Sequence, residues 1–223
     1  MAGKRPVVVG ITGASGHLLA RRCVERLLAY GYPILLVCTP YGKRVWQEEL
    51  DTDLGSVVEQ WQTGGSVTQY PVNDVGAPIA SGGLVTHGML VVPCSMGTLA
   101  SIASGAAANL LERAADVTLK EFRPLVLVPR ETPLSALHLE NMLRLARLGV
   151  RLVPPMPAFY LRPQTVAEAV EHLVPRVLAA LAIPEALDEP PLYQPGRRAT
   201  RGDPPSRLGD RTPPSLKGRG PRG

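Results

Sequence analysis

The 223-residue chain is 45% hydrophobic and only 4% aromatic, with a formal net charge of +5. So few aromatic rings exclude a base-stacking nucleic-acid surface, and no apolar run approaches the ~20 residues of a membrane span. The charge is uneven: from Gln194 onward eight Lys/Arg face two Asp/Glu, a net +6, which leaves the preceding 193 residues at −1.

That basic stretch, QPGRRATRGDPPSRLGDRTPPSLKGRGPRG, is rich in Pro, Gly and Arg and buries too little apolar surface to offset its ordering entropy. One folded domain over residues 1–185 is therefore expected, followed by a disordered tail over 186–223. The amino-terminal stretch lacks the long apolar segment of a secretory signal, so a cytoplasmic protein is expected, with no membrane and no nucleic-acid partner. Cys23, Cys38 and Cys94 are odd in number, widely spaced and set in apolar runs, which predicts buried thiols.

In chain order, Pro6–Thr12 reads as a buried strand and Gly16–Tyr30 as a helix. Pro33–Thr39 (PILLVCT) is a second buried strand and Tyr41–Leu50 a helix, whereas residues 51–84 are mixed, contain several glycines and give no clear pattern. Gly88–Pro93 (GMLVVP) is a strand followed by one small-residue helix across GTLASIASGAAANLL and a further helical stretch to Lys120. Pro124–Pro129 is a strand, Ser135–Leu148 a helix, Val150–Val153 a short strand and Thr165–Leu181 the last helix. Continuous apolar strands alternating with helices define an α/β fold. Its expected form is a three-layer, doubly wound parallel sheet, Rossmann- or flavodoxin-like, with helices on both faces. Ligands of such sheets bind beyond the carboxyl ends of the strands, where strand order reverses.

The turn after the first strand, Gly10-Ile-Thr-Gly13-Ala-Ser15-Gly16, opens a helix and aims backbone N–H groups at an anion. It is no P-loop, since no Gly-Lys-Ser/Thr follows, and G-x-G-x-x-G is missing. A short-chain dehydrogenase turn would place glycine at Leu19 and would need a Tyr-x-x-x-Lys pair, which is absent. The turn alone serves equally to pack a helix tightly on a sheet. Thr39 ends the second strand, and Ser95 and Thr98 flank Gly97 at a helix start, so hydroxyls and helix dipoles converge. One phosphorylated ligand explains these turns together. Arg130 follows an apolar strand directly, which predicts a buried guanidinium in need of an anionic partner. Glu112, Glu121 and Arg123 read instead as a solvated, salt-bridged helix face, and His17, His138 and His172 as surface or packing residues.

GITGASG, PCSMGTLASIASG, NLLERAADVTLKEFRPLVLVPRETPLSALHLENMLRLARLG and PPMPAFYLRPQT together resemble the signature blocks of the UbiX/Pad-type flavin prenyltransferases, over about residues 6–182. The resemblance implies FMN bound by Gly13, Ala14, Ser15, Thr39, Ser95, Met96, Gly97, Thr98 and Arg130. It implies dimethylallyl phosphate bound by Ser81, Arg113, Lys120, Tyr160 and Arg176, and proton handling by Ser15, Glu49 and Glu131. No metal is expected: the chain has no D-D-x-x-D, so Lys120, Arg130 and Arg176 would stabilise the departing phosphate. The family implies a homo-oligomer, usually a dodecamer, that hands prenylated FMN to a UbiD-type decarboxylase. Leu161 stands where many relatives carry His, and Val75 where some carry Trp. Two other readings are a flavin-dependent cysteine decarboxylase, whose substrate clamp is absent, and a non-catalytic FMN carrier, which would not need two acids.

Overall fold

Four apolar runs and two short edge segments build a six-stranded sheet in which every neighbouring pair is parallel. The structure is a computed structural model describing residues 3–188; nearly all of the expected tail lies outside the described residues. The elements begin with β1 (Val7–Ile11), α1 (His17–Ala29), β2 (Ile34–Cys38), α2 (Pro40–Leu50), α3 (Leu54–Gly64) and β3 (Val67–Tyr70). A 3₁₀ turn (Pro78–Ala80) leads to β4 (Gly88–Cys94), α4 (Met96–Ser104), α5 (Leu110–Lys120) and β5 (Leu125–Pro129). Then come α6 (Ala136–Arg147), β6 (Arg151–Leu152), a 3₁₀ turn (Phe159–Leu161), α7 (Val166–Ala180) and α8 (Pro184–Leu187).

Strand order is β3-β2-β1-β4-β5-β6. The chain winds outward from β1 through β2 to β3, then crosses back to β4, so β1 and β4 flank the reversal. Alternation along β1 splits the core into two layers. Val7, Val9 and Ile11 face α1, α7 and the indoles of Trp46 and Trp61, while Val8 joins Met89 and Val91 against α4, α5 and α6. All three cysteines are free and buried; burial pushes the Cys23 thiol up, and those of Cys38 and Cys94 to about 12.

Two expectations change. The run read as one helix over GTLASIASGAAANLL is two helices, because Gly105 adopts a left-handed conformation (φ 76°) that closes α4, and Asn109 caps α5 afresh. Residues 51–84, opaque in sequence, contain α3 and the edge strand β3, of whose four residues only Val67 is fully buried.

Candidate functional site

The reversal point is tied together by Thr12, which is 1% exposed. Its hydroxyl donates to the Pro93 carbonyl at 2.8 Å and accepts the Ser95 N–H at 2.8 Å, locking the turn after β1 to the turn after β4. The sequence reading passed over Thr12; its one signal was a hydroxyl immediately before the glycine turn. Gly13 is required by close approach, since a Cβ there would lie 2.6 Å from Tyr41 Cβ at the start of α2.

The amino terminus of α1 departs from expectation. α2 through α7 each carry their own capping side chain: Thr39, Asp53, Ser95, Asn109, Ser135 and Thr165. The residue capping α1 is Gly16, whose φ of 117° no other residue type adopts easily and which has no side chain to offer. Glu49, from the end of α2, supplies the cap: its carboxylate accepts the Gly16 N–H at 3.1 Å and the His17 N–H at 2.8 Å. The anion that these two N–H groups hold is thus the protein's own carboxylate. Partial burial pushes the Glu49 carboxyl up, but the Ser15 hydroxyl, the His17 and Gly16 N–H groups and the nearby His17 ring outweigh it and hold it below the usual range. Ser15 and Glu49, 34 positions apart in sequence, are therefore neighbours at this turn, with the Ser15 hydroxyl helping to hold the Glu49 carboxyl low.

Thr39 and Ser95 serve first as caps. Thr39 Oγ1 accepts the Gly42 N–H at 3.0 Å, and Ser95 Oγ accepts the Thr98 N–H at 3.3 Å while donating to Thr98 Oγ1 at 3.1 Å. Among the described residues neither the Thr39 nor the Thr98 hydroxyl donates a hydrogen bond. Met96 is 7% exposed and joins the core, and a Cβ at Gly97 would meet nothing within 4 Å, so the cleft is open there.

Arg130 emerges from the carboxyl end of β5, and its N–H donates to the Cys94 carbonyl at 3.3 Å. Contrary to expectation its guanidinium is exposed, because β5 ends at Pro129 and the next residue already clears the sheet. It makes no ion pair among the described residues. Glu131 is exposed and accepts the Thr132 N–H at 3.0 Å.

Three donor-site candidates gather elsewhere. The loop from β3 to β4 crosses α5, where Arg113 Nε donates to the Ala80 carbonyl at 3.2 Å and Nη1 pairs with Asp116 at 2.6 Å. Ser81 follows, exposed, and a Cβ at neighbouring Gly82 would lie 3.0 Å from Lys120 Nζ. Lys120 pairs with Glu121 at 2.5 Å and lines an open groove of about 330 Å³ with Arg144. Lys120 lies before the amino end of β5 and Arg130 beyond its carboxyl end. A five-residue strand spans about 16 Å, so one chain does not bring these cations together. Tyr160, in the turn after β6, and Arg176, on α7, are both exposed.

The residues read as a solvated face also need correction. Arg123 donates to the carbonyls of Gly82 (2.9 Å) and Leu84 (2.7 Å), and Glu112, 8% exposed, accepts the Ala108 N–H at 2.9 Å. Both pin the crossing loops, because carbonyls and N–H groups left there without water need partners. Glu121 does pair with Lys120, as a solvated face would.

A flavin nucleotide presents a phosphate, a polyhydroxyl chain and a flat ring. The exposed Ser15 hydroxyl, the Thr39 and Thr98 donors, the open space at Gly97 and the uncommitted Arg130 guanidinium fit such a ligand. A doubly wound sheet with hydroxyl-bearing turns at its reversal is the architecture of a mononucleotide-binding protein.

The family profile Flavoprotein matches residues 1–178. The flavin prenyltransferase UbiX of Halalkalibacterium halodurans is 48% identical over 184 residues, covering 80% of this chain and 89% of that protein. The crystal structure of a dodecameric FMN-dependent UbiX-like decarboxylase from Escherichia coli O157:H7 superposes with a TM-score of 0.75 at 44% identity, over 80% of this chain and 95% of that one. AnUbiX (PadA1), crystallised with FMN and dimethylallyl pyrophosphate, gives a TM-score of 0.76 at 38% identity, over 81% and 93%. The chain belongs to the flavoprotein family, among its UbiX-type flavin prenyltransferases.

Proposed function

We propose that the chain is a flavin prenyltransferase that moves a dimethylallyl group from dimethylallyl phosphate onto N5 and C6 of FMN in its reduced form. Bound reduced FMN supplies the nucleophilic ring atoms. Gly13, Ala14, Ser15, Thr39, Ser95, Met96, Gly97, Thr98 and Arg130 hold it at the reversal of the sheet. Ser15 takes the ring proton and passes it to Glu49, which its hydrogen bonds keep ionised and ready to accept. Lys120, Arg130 and Arg176, with a hydrogen bond from the Tyr160 hydroxyl, stabilise the departing phosphate in a preorganised cationic pocket. Glu131 protonates that phosphate, and Ser81 and Arg113 complete its site. The observation that carries the reading is the Glu49 carboxylate seated on the Gly16 and His17 N–H groups beside Ser15, at the switch point of a chain 48% identical to a flavin prenyltransferase.

Because Lys120 and Arg130 lie at opposite edges of one chain, the pocket is completed by a second copy. The relative from Escherichia coli is dodecameric, and the exposed Leu139 and Leu143 of α6, one turn apart, with the exposed Leu148 and Phe122 nearby, offer apolar surface for self-association. The product serves a UbiD-type decarboxylase in the cytoplasm, a location in keeping with free thiols. Among the described residues no helix is long and apolar enough to cross a membrane. Anaerobic incubation of the protein with reduced FMN and dimethylallyl phosphate should yield a flavin heavier by one prenyl unit. Bound flavin without new mass would identify a carrier instead.

A further inference from the structure

His17 is fully buried (0% exposed), yet neither ring nitrogen closes a hydrogen bond. It stands edge-on to Trp46, with centroids 5.8 Å apart at 85°, and Trp46 stands edge-on to Trp61 at 5.9 Å and 90°. Three rings thus join α1, α2 and α3. The ring lies one step from Glu49 by two routes: the His17 backbone N–H makes the shortest bond to Glu49 (2.8 Å), and Trp46 precedes Glu49 by three residues on the same face of α2.

Burial holds the imidazole below its ordinary value of 6.5, against the opposing pull of Glu49 and of the nearby Ala14 carbonyl. Among the described residues, Glu49 from α2 is the charged group that acts on it. Farther along α1, Arg21 pairs with Glu25, and Arg22 and Arg26 pair with Glu171 of α7. Trp46 and Trp61 bring no charge. Burial outweighs what Glu49 and the Ala14 carbonyl offer an imidazolium, so the uncharged ring is favoured.

We propose that His17 is a positioning residue for the Ser15–Glu49 pair: its uncharged ring fixes α2 through Trp46 so that the Glu49 carboxylate stays seated on the α1 amino terminus. The inference rests on the reading of Ser15 and Glu49 as the proton-handling pair.

The test uses the full chain loaded with FMN. His17→Ala should lower kcat roughly ten-fold, since small displacements of a catalytic group are costly, while KM for dimethylallyl phosphate and FMN affinity stay near wild type. His17→Phe, or His17→Leu should the former not fold, should restore kcat at neutral pH. Thermal unfolding gives a readout independent of turnover. A histidine buried neutral contributes stability that is complete above pH 6.5 and is lost as pH falls below it. Wild type should lose stability across that window, and the Phe or Leu variant should lose less. His17→Ala at full kcat, or a Phe or Leu variant with unchanged acid dependence of unfolding, would overturn the proposal. Glu49→Gln separates the two readings: at full activity it removes the proton-handling pair and this inference with it. A slow Glu49→Gln beside a fully active His17→Ala removes only the role of His17.

Discussion

The two halves of the proposed site are built in opposite ways. At the carboxyl edge, Thr12, Thr39, Glu49, Ser95 and Thr98 bond to backbone or to one another across 2.8–3.3 Å, so the turns are fixed before any ligand arrives. On the α5 side, Arg113 and Lys120 make local ion pairs with Asp116 and Glu121 next to solvent, Arg113 also donating to the Ala80 carbonyl. Such exposed pairs are worth little and are readily exchanged. The proposed flavin cradle is thus preorganised within one chain, while the proposed α5 cations are held by weak exposed pairs that a ligand or a second copy could displace. That division suits a reaction in which a rigidly held acceptor meets a leaving anion, because cations tied into strong internal pairs would be poor at stabilising new charge.

Five substitutions probe this contrast, from the largest effect to the smallest. Lys120→Ala should cut prenyl transfer roughly 10²–10³-fold, as loss of a preorganised electrostatic partner does, yet leave the bound-flavin absorbance intact. Arg130→Ala should lose both. Equal loss of flavin in the two variants would erase the distinction between the halves. Glu131→Gln should slow transfer roughly 10²-fold, in the range for a lost general acid, with FMN still bound; a full rate would remove Glu131 from the mechanism. Thr12→Val strands the buried Pro93 carbonyl and Ser95 N–H, and denaturant titration should register a loss of about 1–3 kcal/mol together with weaker FMN binding. Glu49→Gln should cost about 0.3–1 kcal/mol at neutral pH through the lost anion on the α1 amino terminus. Its carboxyl is held below 4.5 in the fold, so that contribution is present above 4.5 and fades as pH falls through the lower folded value. Unfolding curves of wild type and variant should therefore converge in acid.

Much of the fold was legible because parallel strands covered on both faces read as unbroken apolar runs: VVVGI, ILLVC, GMLVVPC and LVLVP all lie where their composition puts them. β3 escaped, since an edge strand of four residues with one side chain fully buried leaves almost no periodicity. Gly105 escaped because small residues on both sides of it continue the same pattern, and only its left-handed backbone ends the helix. Within the site, the hydroxyls after the strands were visible as turn chemistry. The resemblance named Glu49, but its use as a borrowed helix cap depends on a contact 33 positions away that no local pattern encodes. Arg130 was misjudged as buried for a related reason: composition locates the end of a strand but not how quickly the next side chain reaches solvent.

Whether the two halves meet across copies can be measured by co-assembling Lys120→Ala and Arg130→Ala chains, each inactive alone, and assaying prenyl transfer to reduced FMN. Mixed assemblies should regain turnover, because some sites then pair an intact Lys120 from one chain with an intact Arg130 from another. Activity that stays at the level of the separate variants, with mixed assembly verified by mass, would contradict a site shared between chains.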